Sequence, residues 1–274
     1  MATMMFPLSA GDWPASVEEL RRQLSEGLRD MLRSPPRLVV TGEWPALSEL
    51  TLDLGGVRVE GATAWVQPRS VVERQEGPGC RRVRIFGAPL RWGDLDGPHF
   101  ELEGSDFQFE FARDEAGHGW LLPAKVGGGL MHARITGSGL DRLFLGAVRQ
   151  LAQGQGIAVD EAGIRLEPAG SNAIRFVARV GARKAFLKGR VRLTGLAEVG
   201  TELDLRLREL RCEGEGAIGG IGARAIQPHL DRLGQRPWRF PGSLMSDLRL
   251  QEFELRPDAG GALELVARWG LRAR

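Results

Sequence analysis

Between Leu203 and Arg208 the chain alternates strictly: Leu203, Leu205 and Leu207 are interleaved with Asp204, Arg206 and Arg208. In an extended strand successive side chains point to opposite faces, so this pattern puts apolar groups on one side and charge on the other. The same period of two begins at Leu38 and returns in Val57, Val59, Gly61, Thr63 and Trp65, then in Val83 and Ile85. Strands of this kind belong to antiparallel sheets with one wet face, not to parallel sheets buried on both. Several of them also change phase. Phe100 and Leu102 share a face, but after Gly104 and Ser105 the apolar set becomes Phe107, Phe109 and Phe111, and Leu248 and Leu250 give way likewise to Phe253 and Leu255. A one-residue slip inside a strand is what a β-bulge produces, and bulges bend sheets. The pattern predicts a strongly curved, mostly antiparallel sheet that bends near Gly104–Ser105 and Gln251–Glu252.

Three segments carry helical spacing. Ser16 to Arg33 opens with Ser16 as a candidate N-cap and Glu19 three residues on, and Val17, Leu20, Leu24, Leu28 and Met31 mark one face before Pro35 and Pro36. Leu140 to Ala152 sets Leu140, Leu143, Phe144, Ala147, Val148 and Leu151 against Asp141, Arg142, Arg149 and Gln150. Ala217 to Leu233 carries Ile218, Ile221, Ala225, Ile226, Leu230 and Leu233, with Pro228 expected to kink or restart it. Strands run in blocks between the helices, so the class is α+β, with the curved sheet wrapped around amphipathic helices.

A chain of 274 residues that is 42% hydrophobic can bury a full core. Residues 1–36 read as an N-terminal helix packed on the domain and 37–274 as one β-rich domain; Gly127 to Gly129 is too short for a linker. Net charge is +2, with acidic and basic residues interleaved throughout and no basic block of the kind nucleic-acid binding uses. Lys125, Lys184 and Lys188 are the only lysines among 37 basic residues. Arginine clamps phosphates through a planar fork, although genomic base composition alone accounts for the bias. Cys80 and Cys212 leave one disulfide or two free thiols open, with reduced thiols expected. The amino terminus has no signal-peptide pattern and no stretch approaches a membrane span, so a soluble, cytoplasmic protein is expected.

The segment Gly214-Glu-Gly-Ala-Ile-Gly219 satisfies GxGxxG between a strand and a helix. The strand before it alternates leucine with charge, however, and no ribose-binding acid follows at the end of a second strand, so a close helix-to-sheet approach explains the glycines. No serine occupies a GxSxG elbow, since Ser138 is flanked by Thr136 and Leu140. His99, His118, His132 and His229 are scattered, and no ligand spacing points to a metal. No nucleotide or other cofactor is implied. The acidic residues follow the outward phase of strands, as Glu252 and Glu254 show.

What remains is apolar surface. Wide apolar helix faces and bent amphipathic strands close over either a solid core or an elongated cavity, and mostly apolar cavities with few polar anchors are how proteins hold lipids. Both outcomes are open on these residues alone.

Three stretches carry a resemblance. Val40 to Leu47 reads strand, glycine, x, aromatic, proline, x, leucine; Gly129-Leu-Met-His-Ala-Arg-Ile-Thr136 precedes Gly139, Leu140 and Leu143; and Leu203 to Leu207 leads through glycines to a helix, then Trp238, Phe240, Pro241 and Leu244. Together they resemble the bacterial LmeA-like phospholipid-binding family, over roughly Arg37 to Trp269. The resemblance implies a tubular fold related to the bactericidal/permeability-increasing protein, lined for lipid, and a cell-envelope setting as the alternative to the cytoplasm. Arg74 to Arg82, rich in glycine and charge, has no counterpart in that family. The expected function is binding, or transfer, of a lipid or similar elongated apolar ligand on Leu140, Leu143, Phe144, Val148, Ile218, Ile221 and Ile226, with a transient membrane surface as partner. A phospholipid esterase and a closed-core protein-interaction domain are the alternatives.

Overall fold

The computed structural model describes residues 5–9, 11–32, 36–59, 70–87, 91–92, 95–96, 99–152, 158–184, 187–200, 204–235, 238–239, 248–257 and 262–271. Strands predominate, in open sheets, with three helices among the described residues. The order is β1 (Phe6–Leu8), α1 (Val17–Met31), β2 (Arg37–Glu43), β3 (Ala46–Asp53), β4 (Arg58–Val59), β5 (Val71–Gly87), β6 (Arg91–Trp92), β7 (Leu95–Asp96), β8 (His99–Asp114), β9 (Gly119–Lys125) and β10 (Gly128–Ile135). There follow α2 (Gly137–Ala152), β11 (Ala158–Pro168), β12 (Ala173–Lys184), β13 (Leu187–Val199), β14 (Asp204–Glu215), α3 (Gly216–Gly234), β15 (Trp238–Arg239), β16 (Leu248–Pro257) and β17 (Leu263–Leu271). Among the described residues no helix is long and apolar enough to cross a membrane.

The chain divides into two compact units. The first, Met1–Ala133 with Pro241–Glu252 and Ala267–Arg274, has a filled core. Ser16 caps α1 by accepting the Glu19 amide at 3.2 Å, as expected, while the Glu19 carboxylate reaches past the N-cap to accept the Ala15 amide at 2.8 Å. The face of α1 predicted from its spacing is buried completely at Leu20, Leu24 and Leu28, each 0% exposed. It packs with Phe6, Leu50, Leu52, Phe109, Phe111 and Leu121, each such side chain contributing roughly 1.5–3 kcal/mol of burial. The Phe107 and Phe109 rings stack at 5.5 Å, and Trp13 stacks on Phe111 at the same distance.

The phase change in β8 is real. Gly104 and Leu102 are buried on one side of it and Phe107, Phe109 and Phe111 on the other. Asp106, between them, has φ 54°, a left-handed backbone that shifts the alternation by one residue. β5 makes the matching change, from Cys80 to Val83 and Ile85. Cys80 lies opposite Phe107 and Val83 opposite Gly104, so the strands keep register across the switch. Arg74 to Arg82 lies within β5. Leu248 and Leu255, one from each phase of the later pattern, are both buried in the single strand β16.

The second unit comprises Arg134–Phe240 and Phe253–Val266. Its frame is a five-stranded sheet in the order β11-β12-β13-β14-β15, antiparallel throughout. α3 runs as one helix through Pro228.

Candidate apolar face and its two capped edges

The register of the five-stranded sheet sorts its side chains into two faces, because residues opposite one another share a side. Ile164 lies opposite Ala178, and Ala178 opposite Leu193; Leu166 lies opposite Phe176, and Val180 opposite Val191. These define an apolar face, to which β14 adds Leu205, Leu207 and Leu210. The intervening residues Arg165, Arg175, Arg179, Arg192 and Arg211 define a charged face, and all five are exposed. Glu209, at φ 53°, marks the irregularity between β13 and β14 that carries the apolar set from Leu207 to Leu210.

The apolar face is not filled like the core of the first unit. Ala178 is buried, but Ile164, Phe176, Val180, Val191, Leu193 and Leu210 are only partly so. A Cβ built on Gly195 would stand 2.6 Å from both the Phe176 Cζ and the Leu210 Cδ2. The Phe176 ring therefore lies across Gly195 and reaches toward Leu210, bridging β12 to β14 over a position with no side chain.

Helices close both edges of this sheet. Among the described residues β11 has no strand beyond it, and Asp141 on α2 accepts a hydrogen bond from the Ile164 amide at 2.9 Å, while Arg149 donates to the Val159 carbonyl at 3.3 Å. At the other side β15 pairs with Asp204 and Leu205. Beyond them Gln227 on α3 accepts from the Cys212 amide at 2.9 Å and donates to the Leu210 carbonyl at 3.0 Å. One glutamine amide thus replaces a neighbouring strand at that point, satisfying backbone groups that otherwise template aggregation.

The glycines of the GxGxxG segment serve the same helix. A Cβ on Gly214 would collide with the Gly219 carbonyl, and one on Gly219 with the Arg190 carbonyl. Gly216, at φ 79°, turns the chain from strand into helix. These glycines meet protein backbone and bring the start of α3 against β14 and β13.

All seven residues proposed from the sequence as a ligand surface lie on α2 or α3. Leu140, Phe144 and Val148 are partly buried, and α2 packs along β11. The side chains of Leu143, Ile218, Ile221 and Ile226 lie outside the described residues, as do Leu203, Phe240, Pro241 and Leu244. The sequence reading passed over Phe176, Val180, Val191 and Leu193. Their signal is the alternation of Ile174, Phe176, Ala178 and Val180 with Arg175 and Arg179, the same pattern as at Leu203–Arg208.

On the charged face several arginines are neutralised within the sheet: Arg190 by Glu161 at 3.0 Å, Arg183 by Asp160 at 3.2 Å and Arg208 by Glu198 at 3.3 Å. Arg190, Glu161 and Asp160 line an open depression of about 440 Å³ together with Lys188 and Glu215. Both cysteines are free. Burial pushes the Cys80 thiol above its ordinary value, and burial followed by the nearby Glu213 charge does the same to Cys212, which keeps both in the unreactive thiol form. Among the described residues no three His, Cys, Asp or Glu side chains gather as a metal site.

No protein-family model, curated protein or solved structure matches this chain.

Proposed function

We propose that the second unit binds a lipid or a similar elongated apolar ligand on the apolar face of its five-stranded sheet, as a binding or transfer module. The observation that carries this reading is the contrast in filling. Leu20, Leu24 and Leu28 of the first unit are 0% exposed, whereas Phe176, Val180, Val191, Leu193 and Leu210 form a continuous apolar strip that stays partly open. Uncovered apolar area costs about 25 cal/mol per Å² relative to burial, so a ligand that covers it gains that free energy. The two helix-capped edges favour a ligand over a strand: with Gln227 and Asp141 occupying edge groups, addition of a peptide strand has fewer bonds to offer.

The finer architecture belongs to the same proposal. A strongly curved sheet wrapped around amphipathic helices, as in tubular lipid-binding proteins, is supported by the irregularities in β11 and β14, since each increases local twist. The resemblance to the LmeA-like family points the same way.

Organic extraction and mass spectrometry of gently purified protein, with uptake of a fluorescent fatty acid, test the reading. Stoichiometric lipid and saturable uptake are expected. Neither lipid nor uptake would favour a closed-core interaction domain instead.

A further inference from the structure

The charged face of the same sheet holds four guanidinium groups that have no counter-ion among the described residues. Arg165 on β11, Arg179 on β12, Arg192 on β13 and Arg211 on β14 are exposed, and none makes an ion pair or hydrogen bond among the described residues. Register places them together. Arg179 stands directly opposite Arg192, Arg165 opposite Val177 and Arg211 opposite Thr194. The four therefore occupy two adjacent rows across four strands, with strand spacing near 4.8 Å. Like charges directly opposite one another destabilise a sheet, and the one acidic residue in these rows, Glu213 opposite Arg192, bonds none of them. Arg175, Arg183, Arg190 and Arg208 around them are all paired with acids.

We propose that this arginine patch docks the protein on the surface of an anionic phospholipid bilayer. The proposal rests on the lipid-binding reading, because a module that takes a lipid from a membrane has to meet that membrane. Charge complementarity carries it: four unneutralised guanidinium groups on one exposed face match phosphate groups that move laterally to meet them. Nucleic acid fits less well. The uncharged residues in the two rows are Gly163, Val177 and Thr194, so the patch has no aromatic ring on which a base could stack.

Co-sedimentation of the full chain with vesicles decides the matter. Vesicles of phosphatidylcholine with a third phosphatidylglycerol are expected to bind at low salt and release at high salt, and pure phosphatidylcholine vesicles to bind weakly. At about 1 kcal/mol per basic residue, R179Q/R192Q should lose roughly thirtyfold in partition, and R179K/R192K should lose far less. Circular dichroism and thermal unfolding confirm that each variant is folded. Equal partition of wild type and R179Q/R192Q, or binding of an oligonucleotide but not of anionic vesicles, would overturn the proposal. Fatty-acid uptake separates it from the reading beneath: R179Q/R192Q should keep uptake while losing vesicles. Vesicle binding that depends on these arginines without any fatty-acid uptake would uphold the docking patch and reject the apolar ligand.

Discussion

The Phe176 ring lies over Gly195, its opposite number on the neighbouring strand, and any Cβ there would stand 2.6 Å from the ring. An aromatic laid across a glycine covers backbone that the glycine leaves bare, and fixes the ring where a side chain would exclude it. Gly195→Ala should cost about 1–3 kcal/mol by overpacking. Phe176→Leu should recover part of that loss in the double variant, a coupling that a denaturation cycle measures directly. Additive losses would show that ring and glycine do not constrain one another.

The apolar and charged faces of this sheet were open to a reader of the sequence at Leu203–Arg208, and the same rule extends to Ile174–Val180. What alternation could not show is which strands stand side by side. Arg179 and Arg192 become neighbours through the β12–β13 pairing, 13 residues apart in the chain, and alternation within either strand does not set that register. The phase switch at Phe100–Phe111 was legible because its glycine and serine precede a clean change in parity; its cause, a left-handed Asp106, was not. The edge caps were hidden for another reason. Asp141 and Gln227 sit on polar sides of helices, where an unpaired strand edge cannot be distinguished from solvent without the fold.

Gln227 offers a test of those caps. Gln227→Leu keeps the bulk but leaves the Cys212 amide and Leu210 carbonyl with water or nothing. A loss of about 1–3 kcal/mol in unfolding free energy is expected from the unsatisfied groups. Faster aggregation on storage should accompany it, read by light scattering. Unchanged stability and solubility would mean that the edge does not need its cap.

Asp114 makes the first unit pH-sensitive. Burial raises its carboxyl, but the His118 amide, the Trp120 indole at 3.2 Å and the His118 ring at 3.3 Å, with the imidazole charge, outweigh that and hold it below the ordinary aspartate value. A group depressed in the folded state stabilises the fold above its unfolded value, and the contribution drains away as pH falls through the folded one. Unfolding free energy should therefore drop below the ordinary aspartate range. Asp114→Asn should flatten that part of the profile and, because the indole N–H loses its charged acceptor, cost about 1–3 kcal/mol at neutral pH. An unaltered acid limb would assign it to other carboxylates.

Phe144 distinguishes an open face from ordinary core on α2. Its side chain is only partly buried, so Phe144→Ala should cost less than about 2 kcal/mol, against roughly 3–5 for a ring in solid core. Both ligand-free and ligand-loaded protein need to be unfolded, since bound lipid stabilises the folded state by mass action. A large loss without any change in uptake would place Phe144 in the core.

The most direct test of the apolar-face account is photo-crosslinking with a diazirine-bearing fatty acid, followed by peptide mapping of the labelled sites. The account predicts saturable labelling on β12 and β13, at Phe176, Val180, Val191 and Leu193, competed by unlabelled fatty acid. Labelling confined to the first unit, or label that neither saturates nor competes, would contradict it.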